Sequence, residues 1–457
     1  MTQLAEPWSA EPSDRGTTPA LAALLTGTFV GTVSNNVLNV PLSQILLDFD
    51  AELDQGILVV AGFLLTFAAV MPLAGYVGDR FGRRRVYCAA LLATAVCSLG
   101  AATAPNLEIL VMWRCLGGVS AAPFAPAVMG LIAWLFGPAR RARAVGAWAS
   151  VNGIGQAVGP SMGGVIADSW GWRWVFVPLI PLALIGFGAT MRWIPRYPAT
   201  VMKLDVAGAS TLTVGAALLV LAITVSPQEQ IPTAALVVMF VAAVTLLSIF
   251  VVHCLRSSTP FVDLRAVCET RFARSAVASF AQMFCLSVSL LVVPLYLVAH
   301  GTSAGTAGLV LFTLPLVMAV LAPLVGRASD RFGARPVLRI GLVVLAAGLA
   351  ILALVLGVSD TPTVAVIGAL VIVGVGVALV QTPAAAGSTR SRAGAAGTGL
   401  GLFNLIRFGG AAVGAAWVGI AVGSVGFPVV LAVPVGAALV ALVAAYLGRN
   451  PELYEQH

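Results

Sequence analysis

Charge is what this sequence has least of. Only 9% of its 457 residues are Asp, Glu, Lys or Arg, against 59% hydrophobic residues and a mean hydropathy of +1.00. Soluble domains carry roughly 25% charged residues, so a soluble enzyme is excluded. Lysine is nearly missing: Lys203 stands alone among arginines, a usage that matches GC-rich bacterial coding. The six cysteines (Cys88, Cys97, Cys115, Cys254, Cys268, Cys285) show no CxxC spacing and lie mostly in apolar runs. Neither a disulfide framework nor a zinc site is indicated. No nucleotide-binding motif occurs, which argues against ATP hydrolysis, and neither cofactor nor metal is expected. The first 18 residues are polar, include Glu6, Glu11 and Asp14, and lack the basic start and apolar core of a secretory signal, so they are expected to stay as a tail.

What the chain does have is apolar length. Fourteen runs read as candidate helices: 19–47, 55–77, 86–104, 107–135, 143–167, 174–194, 205–225, 233–254, 273–299, 304–326, 336–357, 363–385, 397–422 and 426–447. Each is about long enough to cross a hydrocarbon core of roughly 30 Å. They are apolar throughout rather than alternating, which argues against a β-barrel. The expected fold class is therefore an all-α polytopic membrane protein with the bilayer as its surroundings.

The basic residues orient it. Of the 25, 22 fall in the tails or in alternate loops, and Arg114, Arg173 and Arg407 are the others. The positive-inside rule then places both termini and those loops in the cytoplasm. Asp48, Asp50, Glu52 and Asp54 crowd the first outer loop, so the +7 net charge is mostly a topology signal and no nucleic-acid partner is expected.

The two ends of the chain repeat each other. GYVGDRFGRRR (Gly75 to Arg85) follows the second run and GRASDRFGARP (Gly326 to Pro336) the tenth; a weaker echo pairs Arg140 to Gly159 with Arg392 to Gly414, aligning Asn152 with Asn404. Parallel repeats of a six-helix unit mark rocker transporters with a substrate site between the halves. With LVMWRCLGG (Leu110 to Gly118) and GQAVGPSMGG (Gly155 to Gly164), the chain resembles the fourteen-helix drug:proton antiporter family of the major facilitator superfamily. Its motifs A, B and C match these three segments in order, and WRWVF, LDVAG and NLIRFGG are similar to further landmarks.

The resemblance implies a major facilitator fold: two six-helix bundles at 19–194 and 273–447, two inserted helices within 195–272, and cytoplasmic tails at 1–18 and 448–457. It also implies a monomer in the bacterial cytoplasmic membrane that exports small amphiphilic molecules, with protons as counter-substrate. Motif A (Gly75, Asp79, Arg80, Gly82, Arg83, with Asp330 and Arg331 in its repeat) would latch the outward-facing state. In it Asp79 would accept bonds from a neighbouring helix end, and Arg83 would pair with an acid across the bundle. Motif C (Gly155, Gly159, Pro160, Gly163, Gly164) would be a flexing seam between the halves, bent at its proline.

A charge near mid-membrane costs at least about 2.5–3.5 kcal/mol, so Arg114 is expected to face the central cavity, with Arg407 in or beside it. Amides in hydrocarbon need partners. Asn35, Asn36, Asn39, Asn152, Gln156, Gln282, Gln381 and Asn404 are expected either to line the cavity as substrate contacts or to bond neighbouring helices. Ser34 stands where many members of the family carry an aspartate, and Gly117 where they carry glutamine. All 18 acids lie in tails, loops or helix ends, and His253, His300 and His457 are peripheral too. A proton-coupled cycle thus lacks a midplane carrier, because arginine does not titrate near neutral pH, and would have to depend on peripheral acids such as Asp48 or Asp79. The same lack favours neutral or anionic substrates over cations. An importer or uniporter of a neutral or anionic metabolite, and a lipid-handling or sensor protein on this fold, remain alternatives.

Overall fold

Backbone N–H and C=O groups in hydrocarbon must bond within their own segment, and this requirement makes spans helical. The computed structural model describes residues 17–38, 41–51, 53–136, 138–195, 205–226, 231–302, 304–358, 362–422 and 424–448. In chain order the helices are α1 (Thr17–Asn36), α2 (Leu42–Asp48), α3 (Leu53–Phe81), α4 (Arg83–Ala102), α5 (Leu107–Ala121), α6 (Phe124–Leu135), α7 (Pro138–Trp170), α8 (Leu179–Trp193), α9 (Val206–Val225), α10 (Thr233–Arg256), α11 (Leu264–Val267), α12 (Thr270–Ala299), α13 (Ala304–Phe332), α14 (Ala334–Leu356), α15 (Thr363–Thr389), α16 (Gly397–Ala421) and α17 (Phe427–Tyr446). Among the described residues, twelve helical segments are long and apolar enough to cross a membrane. α1 and α7 are not among the twelve. The first ends in Ser34-Asn35-Asn36 and the second opens with Arg140, Arg141 and Arg143.

Two expected helices are interrupted. The run at 19–47 stops after Asn36 and resumes at Leu42, behind Pro41. The run at 107–135 breaks into α5 and α6 at Ala122 and Pro123, where Pro123 and Pro126 each remove a backbone donor. α2 is pinned by Asp48, which accepts from Arg173 (2.6 Å) and from the Trp172 indole (3.1 Å). These bonds, Arg173 first, hold the Asp48 carboxyl below its ordinary range.

The repeated motif produces the same turn twice. Gly82 (φ 93°) links α3 to α4 and Gly333 (φ 87°) links α13 to α14, each a single residue in a left-handed conformation. Two residues on, Arg84 donates to the Met191 carbonyl at the end of α8 (2.6 Å), and Arg335 donates to the Tyr446, Leu447 and Gly448 carbonyls beyond α17 (2.8–3.0 Å). In each half, then, the arginine caps the last helix through its orphan carbonyls.

One apolar core lies among α1–α8, in two clusters of which the larger also takes in Phe272, Ala322 and Phe403 of α12, α13 and α16, and another lies among α12–α17 around Leu314, Leu345, Val373 and Val430. α9 and α10 pair with each other, and α9 lies against α3 and α16. Asp205 caps α9 through the Gly208 N–H (2.9 Å), meets His253 Nε2 (2.8 Å) and accepts the Phe261 N–H (3.0 Å), tying α9, α10 and the segment before α11 together. The two cores meet along α7–α13 and α3–α16.

Candidate functional site: a central cavity and its closed end

A cavity of about 340 Å³ lies where α1, α3, α6 and α7 face α12 and α16. Helical spacing decides what reaches it. Trp148, Asn152 and Gln156 recur every four residues and form one stripe of α7. Thr28, Thr32, Asn35 and Asn36 do the same for the C-terminal half of α1, while Ser287 and Arg407 come from α12 and α16. Thr32 donates to Asn152 Oδ1 (3.1 Å) and Asn36 Nδ2 donates to the Thr32 carbonyl (2.8 Å), so α1 and α7 fix each other's polar groups. Phe67 of α3 and Phe408 of α16 meet edge to face at 5.0 Å across the seam.

Arg407 is the charged group of this lining. It is 2% exposed, and its guanidinium carbon lies 5.2 Å from the Trp148 ring and 5.2 Å from the Phe408 ring. Its Nε and Nη2 are buried without a hydrogen-bond partner among the described residues. Cation–π contacts are worth about 0.5–2 kcal/mol, less than the several kcal/mol that desolvation costs. No acid or histidine is among the described residues that line the cavity.

Arg114 is placed differently from the sequence expectation. It is buried away from the central cavity, with Nε donating to the Val59 carbonyl (3.1 Å), Nη1 donating to the Ser34 carbonyl (2.9 Å), and its guanidinium 4.4 Å from the Phe63 ring. Because α1 stops at Asn36, its last carbonyls have no intrahelical donor, and Arg114 supplies one. It ties α5 to α1 and α3. Gln282, Gln381 and Asn404 are also buried outside the lining. Neither glutamine amide has a hydrogen-bond partner among the described residues; Asn404 donates to the Leu400 carbonyl (2.9 Å) and touches the Met129 sulfur (3.5 Å). Asn39 lies outside the described residues.

The cavity is closed at the arginine-rich end. Asp79 accepts the Gly397 N–H at the start of α16, and Gly75 packs against the Gly397 backbone. Arg83 pairs with Asp79 itself (2.8 Å) and donates across the seam to the Ala395 carbonyl (3.4 Å). In the repeat, Asp330 meets Arg143 of α7 (3.3 Å) and Arg390 (4.0 Å). Arg80 and Arg331 are exposed and lie against their neighbours Phe81 and Phe332.

The motif C glycines also sit elsewhere than expected. Gly155 and Gly159 face Thr32 and Asn36 of α1 and Gly163 faces Val37 just beyond its end, within one half, and α7 runs unbroken through Pro160 with Gly164 half-buried beside them. The contact between halves uses other glycines: Gly146 and Gly153 against Ala322 and Ala319 of α13, and Gly326 against Ala142. Trp148 lies about 15 Å along α7 from Pro138 and Gln156 about 27 Å, so the cavity extends from mid-helix toward the opposite end.

A cavity lined by both repeats and closed by their paired turns is a transporter arrangement. The Major Facilitator Superfamily profile matches residues 24–261 and 275–456. The chain belongs to the major facilitator superfamily. It is 29% identical over 344 residues to the methylenomycin A resistance protein of Streptomyces coelicolor, covering 75% of this chain and 72% of that one. It is 28% identical over 329 residues to the multidrug resistance protein Stp of Mycobacterium tuberculosis, covering 71% and 61%. The chain thus spans less than two thirds of Stp's length. Its fold is that of the human organic anion transporter MFSD10 (TETRAN), with a TM-score of 0.68 at 15% identity over 95% of this chain and 100% of that one.

Several residues that line the cavity are not singled out by the sequence. Trp148 looked like one apolar residue among many. Its signal was its place one turn before Asn152, on the stripe that continues to Gln156. Phe67, Phe408 and Ser287 carry no signal apart from their helix face.

Proposed function

We propose that the protein is a secondary active exporter of small amphiphilic molecules, working by alternating access in the bacterial cytoplasmic membrane. The observation that carries this reading is a single cavity lined by both repeats and closed at one end by contacts that cross between them. The relatives named for resistance to an antibiotic and to multiple drugs favour export. In this reading α1 and α7 also cross the bilayer, giving fourteen spans. Two six-helix halves, at 19–194 and 273–447, flank the α9–α10 insertion in 195–272.

The arginine-rich end, with both termini, faces the cytoplasm. The closed end is then the inner one, and the cavity belongs to an outward-facing state. Asn35, Asn36, Asn152, Gln156 and Arg407 contact the substrate, with Trp148 and Phe408 supplying apolar surface. Opening inward requires the Asp79–Gly397 and Asp330–Arg143 contacts to part. Since one chain holds the whole cavity, a monomer suffices.

The test is counterflow by the purified chain in proteoliposomes, with and without a pH gradient, across a panel of aryl amphiphiles and small polar metabolites. Saturable, cavity-dependent exchange is expected. Absence of exchange for every probe, from protein that melts cooperatively, contradicts the transporter reading. Exchange only of small polar metabolites favours the importer.

A further inference from the structure

We propose that the substrate of this cavity is an amphiphilic organic anion whose charge pairs with Arg407, and that the membrane potential, rather than a counter-transported proton, drives its export. The proposal rests on the exporter reading above and adds the substrate class and the energy source.

The two partnerless atoms of Arg407, Nε and Nη2, lie on the same edge of the guanidinium. That edge presents two parallel N–H bonds at the spacing of a two-oxygen anion, so it is the geometry of a bidentate carboxylate or sulfonate contact. In the state described, the edge is buried, with Trp148 and Phe408 against the group, and a substrate reaches it by a rotamer change of the guanidinium. A buried cation without a counter-ion is costly, and an incoming anion removes that cost. The lining hydroxyls of Thr28, Thr32 and Ser287 already donate to carbonyls, so the amides of the lining are its other donors toward an anion, and apolar walls such as Met283 and Leu286 take the hydrophobic body.

Energy coupling follows from the same inventory. Proton exchange within the cavity needs a lining group that titrates near neutral pH, and the described lining holds none. The charge balance needs no proton. With the anion bound, the Arg407 site crosses as a neutral pair; empty, it returns as a cation. Each cycle therefore moves one negative charge outward, which an inside-negative potential favours. At 100 mV this supports a gradient of about 50-fold for a monoanion.

The experiment reconstitutes the full chain in proteoliposomes and follows three probes that share one aryl body: 1-naphthalenesulfonate, the neutral naphthalenesulfonamide and a naphthyl quaternary ammonium. The sulfonate cannot carry a proton at any working pH. A valinomycin-set potassium diffusion potential of 100 mV at equal pH is expected to drive sulfonate toward the positive side, approaching the 50-fold limit. A two-unit pH gradient at zero potential should drive no uphill flux, and a lumenal pH dye should stay silent.

Arg407→Gln should lower the sulfonate-to-sulfonamide flux ratio at least tenfold, and Arg407→Lys should keep most of it. Measuring a ratio within the same vesicles removes differences in the amount of folded protein, and the wild-type potential test needs no variant. Uphill sulfonate transport under a pH gradient with proton counterflow overturns the proposal. So does an unchanged ratio in Arg407→Gln, or a preference for the quaternary ammonium, either of which leaves the exporter reading standing. If no probe moves, both readings fall.

Discussion

Gly75→Ala should open the arginine-rich end of this protein. The Gly75 and Gly397 backbones are in contact, and a methyl group on either would overlap the other's carbonyl. A backbone carbonyl cannot rotate aside as a flexible side chain can, so α3 and α16 must separate. Two bonds straddle that crossing, from the Gly397 N–H to Asp79 and from Arg83 to the Ala395 carbonyl. Hydrogen bonds to charged groups contribute about 1.5–3 kcal/mol each, and part of this returns as hydration once the end is wet. A net loss of about 2–3 kcal/mol shifts the population roughly 30- to 160-fold toward the state open at that end.

The assay is pulsed electron resonance between spin labels at Phe81 and Phe332, both exposed at the ends of α3 and α13, in a background without native cysteines. Gly75→Ala should move most of the distance distribution to longer values. Gly436→Ala, where a methyl meets nothing within 4 Å, should leave it unchanged. A folded Gly75→Ala protein with the parental distribution would refute the reasoning.

Further expectations concern individual supports. Arg114→Gln should lower unfolding stability by about 2–4 kcal/mol, since the Ser34 and Val59 carbonyls lose their donor, while the sulfonate-to-sulfonamide ratio stays at the parental value. Gly159→Leu, whose side chain would meet Asn36 (3.0 Å to its Cβ), should cost about 1–3 kcal/mol in a thermal melt without lengthening the Phe81–Phe332 distance, because this glycine packs α1 and not the seam. Asp205→Ala should cost about 1–2 kcal/mol at pH 7 through the lost cap.

Asp205 also carries a pH signature. Burial pushes its carboxyl up, but the Gly208, His253 and Phe261 hydrogen bonds outweigh it and hold it below the ordinary 3.8. A depressed folded value gives stability that is present above 3.8 and lost as pH falls through the folded value. The melting gap between wild type and Asp205→Ala should therefore close only below about pH 4.

The sequence was most legible where backbone conformation dictates residue type. The repeated G-x-x-x-D-R-F-G named both one-residue turns, because only glycine takes the left-handed conformation of Gly82 and Gly333 cheaply. It was least legible where a partner had to be known. Arg114 advertised a buried charge, but whether water or a carbonyl met it depended on where α1 ended, at a break that Pro41 only hinted at. The motif C spacing showed a small-residue stripe without saying which neighbour pressed on it, and that neighbour is α1. Arg407 was suspected of the cavity from its depth; its partnerless edge and the Trp148 ring over it are tertiary facts that no spacing contains.

The most direct test of the central claim, one substrate cavity open at the end opposite the arginines, is cysteine accessibility at Leu291, a cavity-wall position that is 38% exposed. In a background without native cysteines, Leu291→Cys in intact cells should react with a membrane-impermeant maleimide added outside, and naphthalenesulfonate should slow the reaction in proportion to occupancy. Reaction only from the cytoplasmic side of inverted vesicles, or labelling that no amphiphile slows, would contradict the account.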